Sequence, residues 1–389
     1  MANPAHTARG GRRRAWGAAV PALLLGILLL PLPFPVPEPA RFGVPGPPPP
    51  GPGDSVPVVA GARYQAGALR RFFLGRHHRE IWTEPANFPV LRIDQNDSGL
   101  TPVREGGGKQ TRTLHLVSDS GRRFVFRSTD KTLRLLPGFL NRSVLGRILQ
   151  DQVSSAHPAA PVVAGHLERA LGIPGSIPRL VVLCDHPRLG AFRPRFAGLL
   201  GTIQERGARD SASASTGELL ARLDSFPAEQ VDARGFLRAR LLDFLLNDWD
   251  RHQGQWNWVP DRSGVEVLWR PVPVDRDQAL SWYDGLVPAA VRVFMPKLVS
   301  FGPEFPSLRG LTTNSRALDR RILRGFSRAA WDSVTREVAR ELTDSVLRSA
   351  VAAMPEPWWK RSGSMILGFL IQRRDRLPQI ADRFHAAIH

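Results

Sequence analysis

Residues 241–280 read LLDFLLNDWDRHQGQWNWVPDRSGVEVLWRPVPVDRDQAL, and the rest of the chain is read outward from this stretch. It opens on an apolar, helix-like run (Leu241, Leu242, Phe244, Leu245, Leu246) that stops at a polar cluster: Asn247, Asp248, Asp250, Arg251, His252 and Gln255. A turn with Pro260 and Gly264 follows, then a strand-like run (Val265, Val267, Leu268), and then Asp275 and Asp277 beyond Val272 and Val274. One carboxylate just past a helix and another just past a nearby strand is how a phosphoryl-transfer enzyme sets a base beside a metal ligand. Asp250, at the mouth of a loop, can accept a hydroxyl proton and orient the nucleophile. Asp275 suits a Mg2+ ligand that bridges phosphate oxygens, and Gln255 can reach the metal or brace the loop. The same residues admit a plain structural reading, in which Asp250, Arg251 and His252 form a salt-bridged turn. Trp249, Trp256, Trp258 and Trp269 read as core rather than as a base-stacking platform.

Upstream, Gly106, Gly107 and Gly108 lead into an alternating run, Thr111 to Val117, that reads as a strand. An Asp119-Ser-Gly121 turn and a second strand over Phe124, Val125 and Phe126 complete a hairpin. Glycines ahead of a hairpin let backbone N–H groups approach a phosphate, although a flexible turn needs the same residues. Arg127 at the end of the second strand, with Lys131 close behind, can pair with phosphate oxygens. Residues 143–172 read as helical and 180–184 as a strand, with a turn at 185–190 that could link two lobes. Further helices are expected over 217–224, 232–246, 317–327, 330–354 and 365–388. His77 and His78 sit beside Arg76 and Arg79 and read as a solvated basic surface.

The totals bound this picture. At 389 residues and 42% apolar, the chain has room for two folded lobes and a tail. Its net charge of +18 suits acidic partners, but the basic residues are scattered, so nucleic acid is not an expected partner. The single cysteine, Cys184, excludes an intramolecular disulfide and a cysteine zinc site, and reads as a buried structural thiol.

Residues 1–40 resemble an export signal or an uncleaved membrane anchor. Arg12, Arg13 and Arg14 precede an apolar run over residues 15–30 that is broken only by Pro21. Twelve of the 35 prolines fall in residues 31–60, which makes 41–61 a Pro/Gly-rich spacer. The folded part is therefore expected outside the cytoplasm, periplasmic or membrane-anchored.

At this point a resemblance enters. NDWDRHQGQW followed by VPVDRDQAL resembles the catalytic and metal loops of atypical kinases: secretory-pathway protein kinases, bacterial spore-coat kinases and persister-toxin serine kinases. From residue 62 to the end, the chain also resembles bacterial envelope proteins that share GGGKQT, FVFRSTDK, DQVSSAHP, RARLLDFLLNDWDRH, DRDQA and a final RRDRL. The resemblance implies an α+β, protein-kinase-like two-lobed fold, with a small lobe over 62–184 and a mostly helical large lobe over 185–389. It implies Asp250 as catalytic base, with His252 and Gln255 in the same loop, and Asp275 as metal ligand supported by Asp277 and Gln255. Gly106, Gly107, Gly108 and Lys109 would cover the phosphates. Arg127 stands where such kinases carry their nucleotide-binding lysine, unless Lys131 fills that role, and Glu168 or Asp151 would be the acidic partner. Gln255 replaces the usual asparagine.

The expected activity is Mg2+- or Mn2+-dependent phosphoryl transfer from ATP or another nucleotide to a hydroxyl of a protein, lipid or sugar. A second expectation is a catalytically degenerate kinase-like module that binds a cell-envelope component. Asp250→Asn and Asp275→Asn separate the two, since each abolishes transfer only in the first.

Overall fold

The structure is a computed structural model that describes residues 39–41, 55–94, 99–106, 110–133, 137–206, 213–264, 266–305 and 307–389. The expected signal or anchor and most of the spacer lie outside the described residues. Among the described residues no helix is long and apolar enough to cross a membrane.

A seven-stranded sheet forms the first layer. Its strands are β1 (Ser55–Val59), β2 (Pro85–Leu91), β3 (Leu100–Gly106), β4 (Thr113–Ser118), β5 (Arg123–Ser128), β6 (Arg179–Leu183) and β7 (Leu200–Arg206), in spatial order β1-β2-β6-β7-β5-β4-β3. All pairs are antiparallel except β2 with β6. The β4–β5 hairpin falls where the alternation put it, with Leu114, Leu116 and Phe126 buried. The division expected at residues 184–185 falls inside this sheet, because β6 and β7 are neighbours. The intervening segment folds back on one face, where Leu189, Phe196 and Leu199 pack with Leu91, Leu114, Phe126 and Cys184. Cys184 is buried there, as a structural thiol should be.

The other face of the sheet meets the helices. α1 (Ala68–Leu74) and α2 (Arg79–Thr83) sit between β1 and β2, and α3 (Val144–Asp151) and α4 (Ala160–Ala170) between β5 and β6. A small second sheet, β8 (Ala214–Ser215), β9 (Glu229–Val231), β10 (Trp256–Asp261) and β11 (Val267–Pro273), runs in the order β8-β10-β11-β9. The turn expected with Pro260 and Gly264 falls between β10 and β11, except that Pro260 itself lies within β10. That proline sits one residue from the strand's end, where the ladder tolerates it.

α5 (Thr216–Ser225) precedes the central helix α6 (Ala233–Leu246), which Asp232 caps by accepting from Gly235 N–H at 2.7 Å. α6 is buried around most of its circumference, and such a helix lies within a core rather than on it. α7 (Leu286–Phe294) packs on α1; around α6 pack α8 (Arg316–Leu323), α9 (Arg328–Glu341), α11 (Ser364–Asp375) and α12 (Leu377–Ile388), with α10 (Asp344–Ala352) set on α4 and α11. The sequence reading merged α9 with α10 and α11 with α12. Thr343 breaks the first run by capping Val346 N–H at 3.2 Å, and Pro378 opens the second helix of the other. The four tryptophans of the central stretch are all core.

His77 and His78 correct the expectation of a basic surface. Both are buried: the His78 ring bonds Leu280 O at 2.8 Å, and the His77 ring bonds Ser154 Oγ at 3.0 Å. Arg79 is buried beside them and donates to Asp151 at 2.8 Å. Burial holds both imidazoles near a pKa of about 4, so they act as neutral packing groups.

Candidate active site

The central helix ends because Asn247 takes a left-handed backbone, φ 59°, and donates from Nδ2 to Val299 O at 2.9 Å. Asp248 N–H then returns to Asp243 O at 2.8 Å, so residues 248–255 leave the core as a loop. Within this loop the side chains divide into two sets.

The first set faces inward. Arg251 donates to Asp248 at 2.7 Å and to Asp243 at 3.3 Å. Arg240 reaches Asp243 at 2.5 Å and Asp319 at 2.9 Å. Arg276, although separated by more than twenty residues, ion-pairs with Asp243 and donates to Glu168 at 2.8 Å. All seven side chains are buried. Burial pushes the Asp248 carboxyl up to about 6 against the pull of Arg251. The salt-bridged turn of the structural reading thus exists, but it uses Asp248 and Arg251 rather than Asp250.

The second set stays out of this network. Asp250 is only partly buried and accepts from Asn314 Nδ2 at 2.7 Å. Burial first, and then the charge of Asp277, raise its pKa, while His252 and Lys297 pull it down. His252 itself is exposed, and its Nδ1 accepts from Gly254 N–H at 3.1 Å. In this structure it caps a turn. Gln255 is buried with Oε1 unpartnered among the described residues, and its carbonyl accepts from Val274 N–H at 3.0 Å. That bond sets Gln255 beside the end of β11, one residue before Asp275.

Asp275 also adopts a left-handed backbone, φ 65°. A non-glycine residue held there costs energy and persists only where surrounding contacts enforce it. Past this kink the side chains of Asp-Arg-Asp separate. Arg276 enters the inner network, while Asp275 and Asp277 line a cavity with Arg127, Thr129 and Lys131. Lys131 ion-pairs with Asp277; the lysine is buried and the aspartate half-buried. Burial alone would lower the Lys131 pKa, but Asp277 and then Asp275 raise it. Burial alone would raise Asp277, but Lys131 holds it below the ordinary carboxylate value. Asp275 is raised, by burial and by Asp277, although Arg127 and Lys131 oppose this. Three carboxylates therefore share a field with one paired lysine and the Arg127 guanidinium.

Other expected residues sit differently. Gly106 closes edge strand β3, where a side chain would press its Cβ to 2.6 Å from His115 Nε2, so cross-strand packing accounts for this glycine. Gly107, Gly108 and Lys109 lie outside the described residues. Glu168 lines the cavity but is held by Arg276, not by Lys131 or Arg127. Asp151, its alternative, is held by Arg79 and Arg70. Sequence reasoning missed Asn314, Asp243 and Arg276. Nothing local in the sequence marks Asn314. Arg276 was signalled by the alternation in Asp-Arg-Asp, which puts the middle side chain on the opposite face. Among the described residues, no three His, Cys, Asp or Glu side chains gather closely enough to hold a metal ion alone.

No protein-family model matches the chain, and no curated protein matches it. Several solved structures do. The proinflammatory kinase CtkA of Helicobacter pylori is 12% identical, over 77% of this chain and 99% of that one, with a TM-score of 0.37. The Shewanella oneidensis MR-1 toxin–antitoxin complex of HipA, HipB and operator DNA matches at 12% identity, over 76% and 70%, with a TM-score of 0.39. The Golgi casein kinase matches at 11% identity, over 85% and 83%, with a TM-score of 0.38.

Proposed function

We propose that this chain is a kinase-like phosphotransferase that moves a phosphoryl group from a nucleotide to a hydroxyl, with Asp250 as the base. One observation carries the reading: Lys131 and Arg127 from one segment line a single cavity with Asp275 and Asp277 from another, and Asp250 from a third lies within reach of the charges of Asp277 and Lys131. In the network beneath, every carboxylate touches a guanidinium. In this group only Asp277 pairs with the lysine, and Asp275 and Asp277 line a cavity.

The residues fit a divalent cation in the manner expected of Mg2+, which takes one or two carboxylates and fills its remaining positions with water and phosphate oxygens. Asp275 and Asp277 would hold Mg2+ or Mn2+, and the orphaned Oε1 of Gln255 supports the same fit. When bound, the cation would neutralise charge on the nucleotide's phosphates. Arg127 and Lys131 supply cations for the same phosphates, Arg127 through a fork that can hold two oxygens. Asp250, held by Asn314 and with its pKa raised by burial and by Asp277, accepts the proton of the acceptor hydroxyl. His252 helps to set that carboxyl's charge.

The test is consumption of ATP by the full chain with Mg2+ or Mn2+, followed by Asp250→Asn. The reading expects metal-dependent turnover that falls about 10²–10⁴-fold in the variant with an unchanged melting temperature. Equal turnover by wild type and variant would defeat it. Export, and a tether through residues 15–30, belong to the same proposal and are supported by the sequence pattern of the first forty residues.

A further inference from the structure

Ten large apolar side chains stand exposed among the described residues, and seven of them belong to two helices, α1 and α7, and the residue after α7. α1 contributes Leu69, Phe72 and Phe73, exposed to 74%, 65% and 41%. α7 and the residue after it contribute Leu286, Val293, Phe294 and Met295, with Val293 at 79% and Phe294 at 85%. The helices pack against each other, and Phe72 and Leu286 border one shallow depression with Arg71 and Arg76. Side chains scattered singly over a surface need no explanation, but a contiguous patch of this kind marks an interaction site.

We infer that this face docks on an anionic lipid bilayer. Phe294 and Val293 protrude almost fully and line no groove, which suits insertion between lipid headgroups. Exposed Arg76 follows α1; Arg70 and Arg71 pair with Asp151 and Glu80, and Arg292 donates to Leu298 O and Tyr283 O, so four arginines stand against Asp151, Glu80 and Asp284 and leave the rim a small positive excess. A basic rim around an apolar centre is the combination that anionic headgroups attract. The apolar run at residues 15–30 and the proline-rich spacer that follows would keep the folded part within reach of a bilayer, so weak docking would suffice.

The face is joined to the candidate site by short connections. The chain passes from Asp277 to Leu286 through Tyr283 and Asp284, and Tyr283 Oη donates to Gln278 Oε1 at 3.1 Å. Asp284 accepts from the backbone N–H groups of Arg76 at 3.1 Å and His77 at 2.8 Å, which locks α1 to the segment that carries the carboxylates. Docking through α1 and α7 would turn the site toward acceptors at the membrane surface. The docking inference stands on the surface alone and survives if phosphoryl transfer fails.

The experiment places an environment-sensitive fluorophore on Val293→Cys or Phe72→Cys of the full chain, with Val259→Cys, 38% exposed on β10, as the reference position. Native Cys184 is buried and stays in place. The chain is reconstituted in vesicles of phosphatidylcholine with or without phosphatidylglycerol and quenched with acrylamide. Because each label reports its own surroundings, insertion of residues 15–30 does not confuse the reading. We expect phosphatidylglycerol vesicles to cut quenching at positions 293 and 72 by about threefold, more than phosphatidylcholine alone, and to leave position 259 unchanged. Equal quenching at all three positions would overturn the inference. Protection that needs no vesicles and grows with protein concentration would overturn it too, since the face would then bind a second copy.

Discussion

Two clusters of charge lie against each other across the Asp248–Gln255 loop, and they differ in how they are balanced. Beneath the loop, Arg240, Arg251 and Arg276 interlock with Asp243, Asp248, Asp319 and Glu168, and each carboxylate touches a guanidinium. Above it, Asp250, Asp275 and Asp277 share Lys131, and only Asp277 is paired with it. The choice of cation is informative, because the sequence holds four lysines among 53 basic residues. Arginine's rigid fork suits a permanent buried lattice, whereas a lysine is a mobile point charge. Under the proposed function Lys131 is the charge that would exchange partners, while Arg240, Arg251 and Arg276 stay fixed in the buried network. Complete pairing below holds the loop; incomplete pairing above is what the proposed function assigns to a ligand.

The comparison can be broken from either side. The largest effect is expected above the loop: Asp250→Asn should cost about 10²–10⁴-fold in turnover, read by nucleotide consumption, without loss of secondary structure by circular dichroism. Below the loop, Asp243→Ala removes the carboxylate shared by Arg240, Arg251 and Arg276, and denaturant unfolding should show a loss of about 3–5 kcal/mol. If Asp243→Ala were as stable as wild type, the lower cluster would not be the support described here.

Acidity separates the clusters further. Asp248 has a folded pKa of about 6 against an ordinary value of about 3.9, so the protonated form is favoured on folding. Its stabilising contribution is full below pH ~4 and is lost as pH rises through ~6, about 1–3 kcal/mol in all. Asp277 has the opposite sign: its depressed pKa stabilises above the ordinary carboxylate range and is lost as pH falls through the folded value. Asp248→Asn should accordingly flatten thermal stability between pH 4 and 6, and an unchanged slope would refute this assignment. The smallest effect is at the cavity wall, where Arg127→Met should weaken nucleotide binding about tenfold and leave unfolding unchanged, as measured by calorimetric titration and denaturation.

Much of this was legible in the chain and some was not. The β4–β5 hairpin, the central helix and the loop after it follow from local pattern, because alternation, apolar runs and turn residues act over a few positions. What local pattern could not show is partnership. Lys131 and Asp277 are 146 positions apart and Arg276 and Glu168 108, and nothing in either neighbourhood names the other. Glu168 was therefore expected beside a phosphate-binding cation and is found holding the inner network. His77 and His78 looked solvated because their neighbours are arginines, yet Asp151 neutralises Arg79 and lets the group be buried. Gly106 looked like a phosphate loop and is explained by the His115 ring across the hairpin.

The open cluster is the central claim, and ligand-dependent unfolding tests it most directly. The full chain would be melted with ATP, ADP or GTP, each with Mg2+, with Mn2+ or with neither, alongside Asp275→Asn. The account predicts that metal and nucleotide together raise the melting temperature of the wild type and leave that of Asp275→Asn unmoved. A wild type that gains nothing from any pair, or a variant that gains as much as wild type, would contradict it.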